Sequence, residues 1–345
     1  MGATIRDVAR LAGVSHSTVS RVLNDKGVIS EETKQRIYAA MEELKYVPND
    51  FARSFASGSP HTIALVIDVD NASDYANNFF NNTVFGIETA AHRSGYNLMV
   101  AHGSVDSDGT DGIERLVAGK RIDGIVFPQS IVNPGFLQKL EELQFPNVIL
   151  GRPDDVSLES DWVDINNTQA GALAVRHLLG NGYRRIAFVT DGYDKVFNQD
   201  RIEGYRRELL AEGIDFDDAL VIHGKADLES GGLCAEKLLK SAELPDAIVC
   251  SNDRMALGVL RKAKTMGICV PKELGIVCCD NTVVTELAQP DITSIDVDTF
   301  ELGLQVAETL INRIENAAAS VRQILLSTRI IERESTAKKQ KGGGS

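Results

Sequence analysis

No run in the 345-residue sequence approaches the roughly 20 apolar residues that a membrane-spanning helix needs. The opening stretch MGATIRDVAR has no apolar signal core, so export is not expected and the chain reads as cytoplasmic, with no membrane partner. Gly2 carries no lipidation signal, because Arg6 stands where Ser or Thr is required. The five cysteines (Cys234, Cys250, Cys269, Cys278 and Cys279) show no C-x-x-C spacing. Their odd number in a chain without an export signal points to reduced, buried thiols, and argues against a zinc site or a cysteine nucleophile. Glycine-rich phosphate loops of the P-loop or dinucleotide type are missing. The histidines (His16, His61, His92, His102, His177 and His223) are dispersed, and no nucleophile elbow or metal pair accompanies them. Enzymatic activity, a cofactor and a bound metal are therefore not expected.

What remains is ordinary globular composition, 43% hydrophobic and 25% charged, with a net charge of −13. The charge is unevenly spread. Residues 1–60 hold eight Lys/Arg against seven Asp/Glu, a balance of +1 that leaves −14 on the rest. The first segment can thus approach a polyanion from which the remainder would turn away. Its weak positive charge implies that DNA affinity would need dimerisation and an ordered linker.

The most informative stretch runs from Thr4 to Asn24. Thr4 and Asp7 have capping-box spacing, Val8, Leu11 and Ala12 recur at helical period, and Gly13 provides a stop. Ser15 caps a second helix. At about 100° per residue, His16, Ser17, Ser20, Arg21 and Asn24 share an arc of roughly 140°, with Val19, Val22 and Leu23 opposite. Small hydroxyls with a guanidinium suit the major groove, where Arg bonds two guanine acceptors and Ser bonds base edges or phosphate. An ordinary helical hairpin with a solvated face would show the same amphipathicity. Ser30 caps a third helix, with Glu31 and Glu32 placed for its dipole and Ile37, Met41 and Leu44 on its inner face.

DVARLAGVS, TVSRVLN, SEETKQRI and YVPNDFAR resemble the DNA-binding headpiece of the LacI/GalR family of bacterial transcription regulators. The remainder resembles that family's sugar-binding core. The resemblance implies DNA contacts from Thr4, Ser15, His16, Ser17, Thr18, Ser20, Arg21 and Asn24. It also implies a hinge helix after Asn49, including Arg53, that folds on the operator against its dimer mate. Phe55 stands where many relatives carry a minor-groove leucine wedge. The expected segments are a helix-turn-helix domain over 1–48, a hinge and linker over 49–60, an effector-binding and dimerisation core over 61–336, and a flexible tail over 337–345.

From Thr62 the pattern changes. TIALVI, YNLMVA, DGIVF, NVIL, RIAFV, AIVC and GIVCC are short apolar runs separated by helical stretches such as QAGALAVRHLLG, the signature of βαβ units and parallel sheets. The fold expected is an all-α helix-turn-helix headpiece joined to an α/β core with two lobes of the periplasmic-binding-protein type. By resemblance three crossovers join the lobes, placed near 161–164, 291–295 and 320–323. Lobe one then spans about 61–161 and 294–321, and lobe two about 162–293 and 322–336. TDGYDK reads as no more than a glycine-containing turn.

Ligand would sit beyond the carboxyl ends of the strands. Phe79 and Phe80 follow the first strand in an Asn-rich loop, DNASDYANNFFNN, and aromatics beside amides suit the apolar face and polar rim of a sugar. Arg201, Asn252, Asp253 and Asp280 fall at strand ends or helix starts. Phe79, Phe80, Arg201, Asp253 and Asp280 match effector-contacting positions of the family. Phe127 is a further candidate. Each has a plainer role open to it: Asp253 as a helix cap, Arg201 paired with Asp200 or Glu203, the phenylalanines as core. A sugar-stacking tryptophan found in the family would fall near Ala226, so Trp162 or Phe197 must serve in its place. The family's tetramerising leucine-heptad tail is absent, which leaves a homodimer.

Several stretches, among them GKRIDGIVF, VDINNTQAG and NQDRIEGY, resemble maltose-operon repressors within the family, implying maltose or another α-glucoside as effector. The expectation is a repressor with operator DNA, a small-molecule effector and a second copy of itself as partners. The alternatives are a non-enzymatic sugar receptor, or a regulator answering to a nucleobase or a phosphorylated carrier protein.

Overall fold

The computed structural model describes residues 3–23, 27–46, 59–68, 78–103, 110–132, 134–154 and 159–337. The first three helices are α1 (Ile5–Ala12), α2 (His16–Leu23) and α3 (Glu31–Glu43). Thr4 and Asp7 form the expected capping box, with each side chain accepting the other's backbone N–H. Gly13 ends α1 in the left-handed conformation at φ 65°. Ser15 and Ser30 accept N–H bonds from Thr18 and Thr33. Arg36 on α3 donates to the carbonyls of Ala12 and Gly13, which ties α3 to the end of α1. Val8, Val19 and Ile37 close the small core with no exposed surface. Leu11 differs from expectation and is 46% exposed. The buried arc of α1 is centred between Val8 and Ala9, and Leu11 lies roughly 110° from that centre at helical period.

The rest of the chain alternates strands and helices. Its first half contains β1 (Thr62–Asp68), α4 (Asn78–Arg93), β2 (Asn97–Gly103), α5 (Thr110–Ala118), β3 (Gly124–Pro128), α6 (Pro134–Glu142), β4 (Asn147–Leu150) and β5 (Trp162–Ile165). There follow α7 (Asn167–Gly180), β6 (Ile186–Thr190), α8 (Val196–Ala211), β7 (Val221–His223), α9 (Leu228–Leu238), β8 (Ala247–Cys250), α10 (Asp253–Thr265) and β9 (Gly275–Cys279). The last elements are α11 (Val283–Leu287), β10 (Thr293–Asp296), α12 (Thr299–Glu315), β11 (Gln323–Leu326) and β12 (Arg329–Ile331). They build two six-stranded sheets, ordered β11-β5-β4-β3-β1-β2 and β12-β10-β9-β8-β6-β7. All pairings are parallel except that of β12 with β10. Each sheet is covered on both faces, which is why its strands read as continuous apolar runs.

The two lobes are as expected, but the crossovers fall a few residues later than 161–164, 291–295 and 320–323. Trp162–Ile165 and Gln323–Leu326 belong to the first sheet, and Thr293–Asp296 to the second. The chain therefore changes lobe at Asn166, at 297–298 and at 327–328. The physical reason is pairing: β5 continues β4 and accepts β11 beside it, so a four-residue strand placed in either lobe by pattern alone is claimed by the first. Asp161, 5% exposed, secures this corner by accepting from the Arg313 guanidinium on α12 at 2.7 Å and from the Arg322 backbone N–H at 2.6 Å.

Helix pairs cover the sheets through close glycine contacts. Gly86 on α4 faces Gly303 on α12, and Gly231 on α9 lies against Met255 on α10. On α7 a Cβ added to Gly171 would stand 1.9 Å from the Arg201 carbonyl oxygen, and one added to Gly204 on α8 would stand 1.9 Å from the Thr168 carbonyl oxygen. Backbone meets backbone there, so no flexible side chain can yield. Gly171→Ala should therefore cost about 1–3 kcal/mol or more through overpacking, while Gly180→Ala, with nothing within 4 Å, should be neutral or stabilising by up to about 1 kcal/mol. Paired denaturant melts measure both, and equal stability of the two variants would contradict the packing argument.

Candidate functional site

Two surfaces gather the candidate residues. The first is the outer face of α2. Val19 and Val22 are buried, while His16, Ser17 and Arg21 are exposed and Thr18 and Ser20 are half-buried. The Ser15 hydroxyl is shared with those of Ser17 and Thr18 at 2.8 Å each, which pre-orients three small donors at the helix start. Thr4 is exposed, but its hydroxyl also donates to Asp7 at 2.7 Å. Asn24, Asn49, Arg53 and Phe55, and with them the hinge helix, lie outside the described residues.

The second surface lies where the carboxyl ends of the two sheets face each other. The Arg152 guanidinium, just beyond β4, makes a forked ion pair with Asp200 on α8, with Nε and Nη2 at 3.0 and 2.8 Å from its two carboxylate oxygens. This contact joins the lobes. Behind it, Asp164 at the end of β5 accepts the Arg152 backbone N–H at 3.0 Å and the Ile165 N–H at 2.7 Å. Burial pushes the Asp164 carboxyl up from its ordinary value, and those two N–H bonds offset this only in part.

Arg201 sits in the second turn of α8, 5% exposed. It pairs with neither Asp200, which holds Arg152, nor Glu203, which holds Arg206 and Arg207. Its side chain turns inward, donating from Nε to Asn167 at 2.9 Å and from Nη1 to the Ser251 carbonyl at 2.6 Å. Burial works against its charge, but Cys279, Asp280, Asp191 and Asp164 together hold it firmly protonated. Phe197, one turn earlier and half-buried, places its ring centroid 5.2 Å from the guanidinium.

Asn252 caps α10 by accepting the Met255 N–H at 2.9 Å, so the capping role expected as an alternative for Asp253 belongs to its neighbour. Asp253, 6% exposed, instead accepts from the Thr282 hydroxyl. Asp280 follows β9 at φ 88° and lies within electrostatic reach of Arg201, Asp253 and Asp191. Burial pushes it up from 3.8 to about 7, against the pull of Arg201 and with help from Asp253 and Asp191.

Two sequence candidates are corrected. Phe127 has no exposed surface, and Trp162 is 8% exposed; both pack in the first-lobe cluster with Ile125, Ile149 and Leu140. Strand alternation decides this: Val126 points to the α4–α12 side, and Phe127 to the opposite side of the sheet. Phe79 and Phe80 are in the first turn of α4, not in a loop, half-buried against the first-lobe core.

The sequence reading missed Asp191, in the turn TDGYDK. Its carboxylate accepts from Lys195 Nζ at 2.5 Å, Asn198 Nδ2 at 2.8 Å and the Ser251 hydroxyl at 3.2 Å. Burial raises its pKa, but these bonds and the Lys195 charge win, and the net shift is downward. An acidic residue directly after an apolar strand was the available signal. Asn198 is fully buried, and with its amide nitrogen committed to Asp191 and the Gly192 carbonyl, its oxygen Oδ1 has no partner. Among the described residues there is no cluster able to hold a metal ion, and no helix long and apolar enough to cross a membrane.

Comparison with known proteins matches residues 4–49 to the family described as bacterial regulatory proteins, lacI family, and residues 175–336 to the periplasmic binding protein-like domain. The chain is 34% identical over 338 residues to the HTH-type transcriptional regulator CelR of Thermobifida fusca, covering 96% of this chain and 98% of that one. It is 32% identical to the HTH-type transcriptional repressor PurR of Aliivibrio salmonicida, covering 97% and 99%. Among solved structures it resembles a CelR–cellobiose complex (TM-score 0.73, 32% identity, 96% and 99% covered). It also resembles a lac repressor dimer bound to operator and an anti-inducer (TM-score 0.82, 25% identity, 97% and 99% covered).

Asp280 makes stability depend on pH. Its folded pKa of about 7 lies above the ordinary 3.8, so the folded state holds the proton more tightly and stability falls as pH rises from about 4 through about 7. Asp280→Asn keeps the shape and tolerates the positive φ. Its melting temperature relative to the parent should rise between about pH 5 and about pH 8. A difference that does not change with pH would show that Asp280 ionises without penalty.

Proposed function

The chain belongs to the lacI family of bacterial regulatory proteins, a DNA-binding transcriptional repressor with a small-molecule effector, and from that premise we propose that it reads operator DNA through α2 and answers to a short glucose oligosaccharide in its interlobe cleft. The observation that carries the DNA reading is the division of α2, with Val19 and Val22 buried and His16, Ser17 and Arg21 presented outward. Ser15, Thr18 and Ser20 complete that face, with Thr4 at the phosphate backbone and Asn24 as a further contact. Asn49, Arg53 and Phe55 contact the operator as well, with Phe55 as wedge. The exposed apolar residues Val283 and Leu287 on α11 offer surface for a second copy.

For the effector, Arg201, Asp280, Asp253 and Asn252 supply the polar contacts, and Phe197, Phe79 and Phe80 the apolar face. Planar donors and carboxylate acceptors beside an aromatic ring match the alternating hydroxyls and C–H face of a pyranose. Maltose is the first candidate, from the likeness to maltose-operon repressors. Cellobiose is its rival, since the CelR complex contains that sugar. A purine is the alternative suggested by the PurR relatives.

Arg21→Ala should cost about 1–3 kcal/mol on the preferred operator and much less on random DNA. Equal losses on both would remove Arg21 from base reading. Operator binding followed by fluorescence anisotropy across maltose and cellobiose titrations tests the effector. Asp280→Asn should shift the response about ten- to a hundredfold in sugar concentration, with effector-free operator affinity retained. If neither sugar alters operator binding by the parent, the glucoside assignment fails while the repressor remains.

A further inference from the structure

The charges around the Arg152–Asp200 contact, which forms the floor of the proposed sugar site, are unbalanced, and the imbalance has a direction. Five carboxylates, Asp164, Asp191, Asp200, Asp253 and Asp280, meet there. The cations facing them are Arg152, Lys195 and Arg201. Each is already engaged: Arg152 by both oxygens of Asp200, Lys195 by Asp191, and Arg201 by Asn167 and the Ser251 carbonyl. A phosphate entering this floor would meet two cations already ion-paired, Arg152 and Lys195, and a third, Arg201, held by neutral acceptors, and would approach acidic groups that outnumber the cations. The one buried side-chain atom left without a partner among the described residues is an acceptor, Asn198 Oδ1. Its amide cannot turn over, because the nitrogen holds two acceptors. That orphan oxygen adds to the local excess of acceptors over donors.

We propose that Asp191 and Asp200 act as a charge filter, neutralising Lys195 and Arg152 so that the cleft accepts uncharged sugars and rejects their phosphorylated forms. This rests on the cleft being a sugar site, and it deepens that reading by fixing the charge of the ligand. The regulator would then sense sugar before any phosphoryl transfer to it, and the class of reaction that ends the signal would include a sugar kinase or phosphorylase. Asp200 is the more telling position. Its pair with Arg152 keeps 22% and 24% side-chain exposure, so the guanidinium stays reachable once released.

The test is calorimetric titration of the full chain with maltose, cellobiose and their 6′-phosphates. The parent should bind at least one free disaccharide at least tenfold more tightly than its phosphate. Asp200→Asn, which frees Arg152 at constant size, should narrow that gap at least fivefold by gaining affinity for the phosphorylated sugar. Asp191→Asn should do the same through Lys195. A gain of affinity cannot arise from misfolding, and added salt should diminish it. Equal or tighter binding of a phosphorylated sugar by the parent overturns the filter and leaves the sugar site standing. Rejection by the parent with no gain in either variant overturns the assignment to Asp191 and Asp200. Binding of none of the four sugars by a parent that still holds operator overturns the sugar reading, and the filter with it.

Discussion

A guanidinium buried to 5% exposure is costly unless every element around it is built to receive it, and the second lobe is organised on that requirement. Arg201 reaches its partners because α7 and α8 cross at Gly171 and Gly204, where backbone touches backbone. That approach brings Asn167, at the start of α7, within 2.9 Å of Arg201 Nε. The end of β8 supplies the Ser251 carbonyl, and Asp280 beyond β9 contributes charge. Three elements from separate parts of the sequence thus converge on one side chain carried by a fourth. Replacing any one of them by a residue of similar size but different polarity would leave a buried charge partly unanswered.

The same demand shapes the acidic groups. Asp280 and Asp164 carry carboxyls that burial pushes upward, while Asp191 is pulled down by Lys195 and its hydrogen bonds. These groups differ because their partners differ, not because of depth alone. Asp191 has a cation at 2.5 Å, whereas Asp164 is served mainly by neutral N–H groups. A cleft that keeps carboxyls only partly compensated favours a ligand that brings hydroxyl donors.

Much of this was legible in the sequence. Caps and stops of the headpiece follow from short-range chemistry, and Thr4, Asp7, Gly13, Ser15 and Ser30 behave as their spacing implies. The apolar runs became strands for the same reason. Phe127 and Trp162 were misjudged because a strand buried on both faces has no polar alternation to show which side meets the cleft. Phe79 and Phe80 were assigned to a loop because the asparagines around them weaken the helical signal. The Arg152–Asp200 pair was not legible at all: it links residues 48 positions apart on different lobes, and no local pattern records such a meeting. The crossover positions were displaced because short strands are assigned by their neighbours in the sheet, which only the assembled fold supplies.

The three crossovers run side by side. The Asn166 N–H donates to the Leu326 carbonyl at 2.8 Å, and the Thr328 N–H donates to Gln169 Oε1 at the same distance. Three short tethers bound laterally behave mechanically like a strap hinge. They resist stretching and shear, because each segment is only one or two residues long, but they yield to a small coordinated twist shared among a few backbone torsions. Work done by a ligand on the cleft side therefore has little outlet except rotation of one lobe on the other. Any rotation of the first lobe on the second therefore pivots on these three segments, far from the packed faces of either sheet.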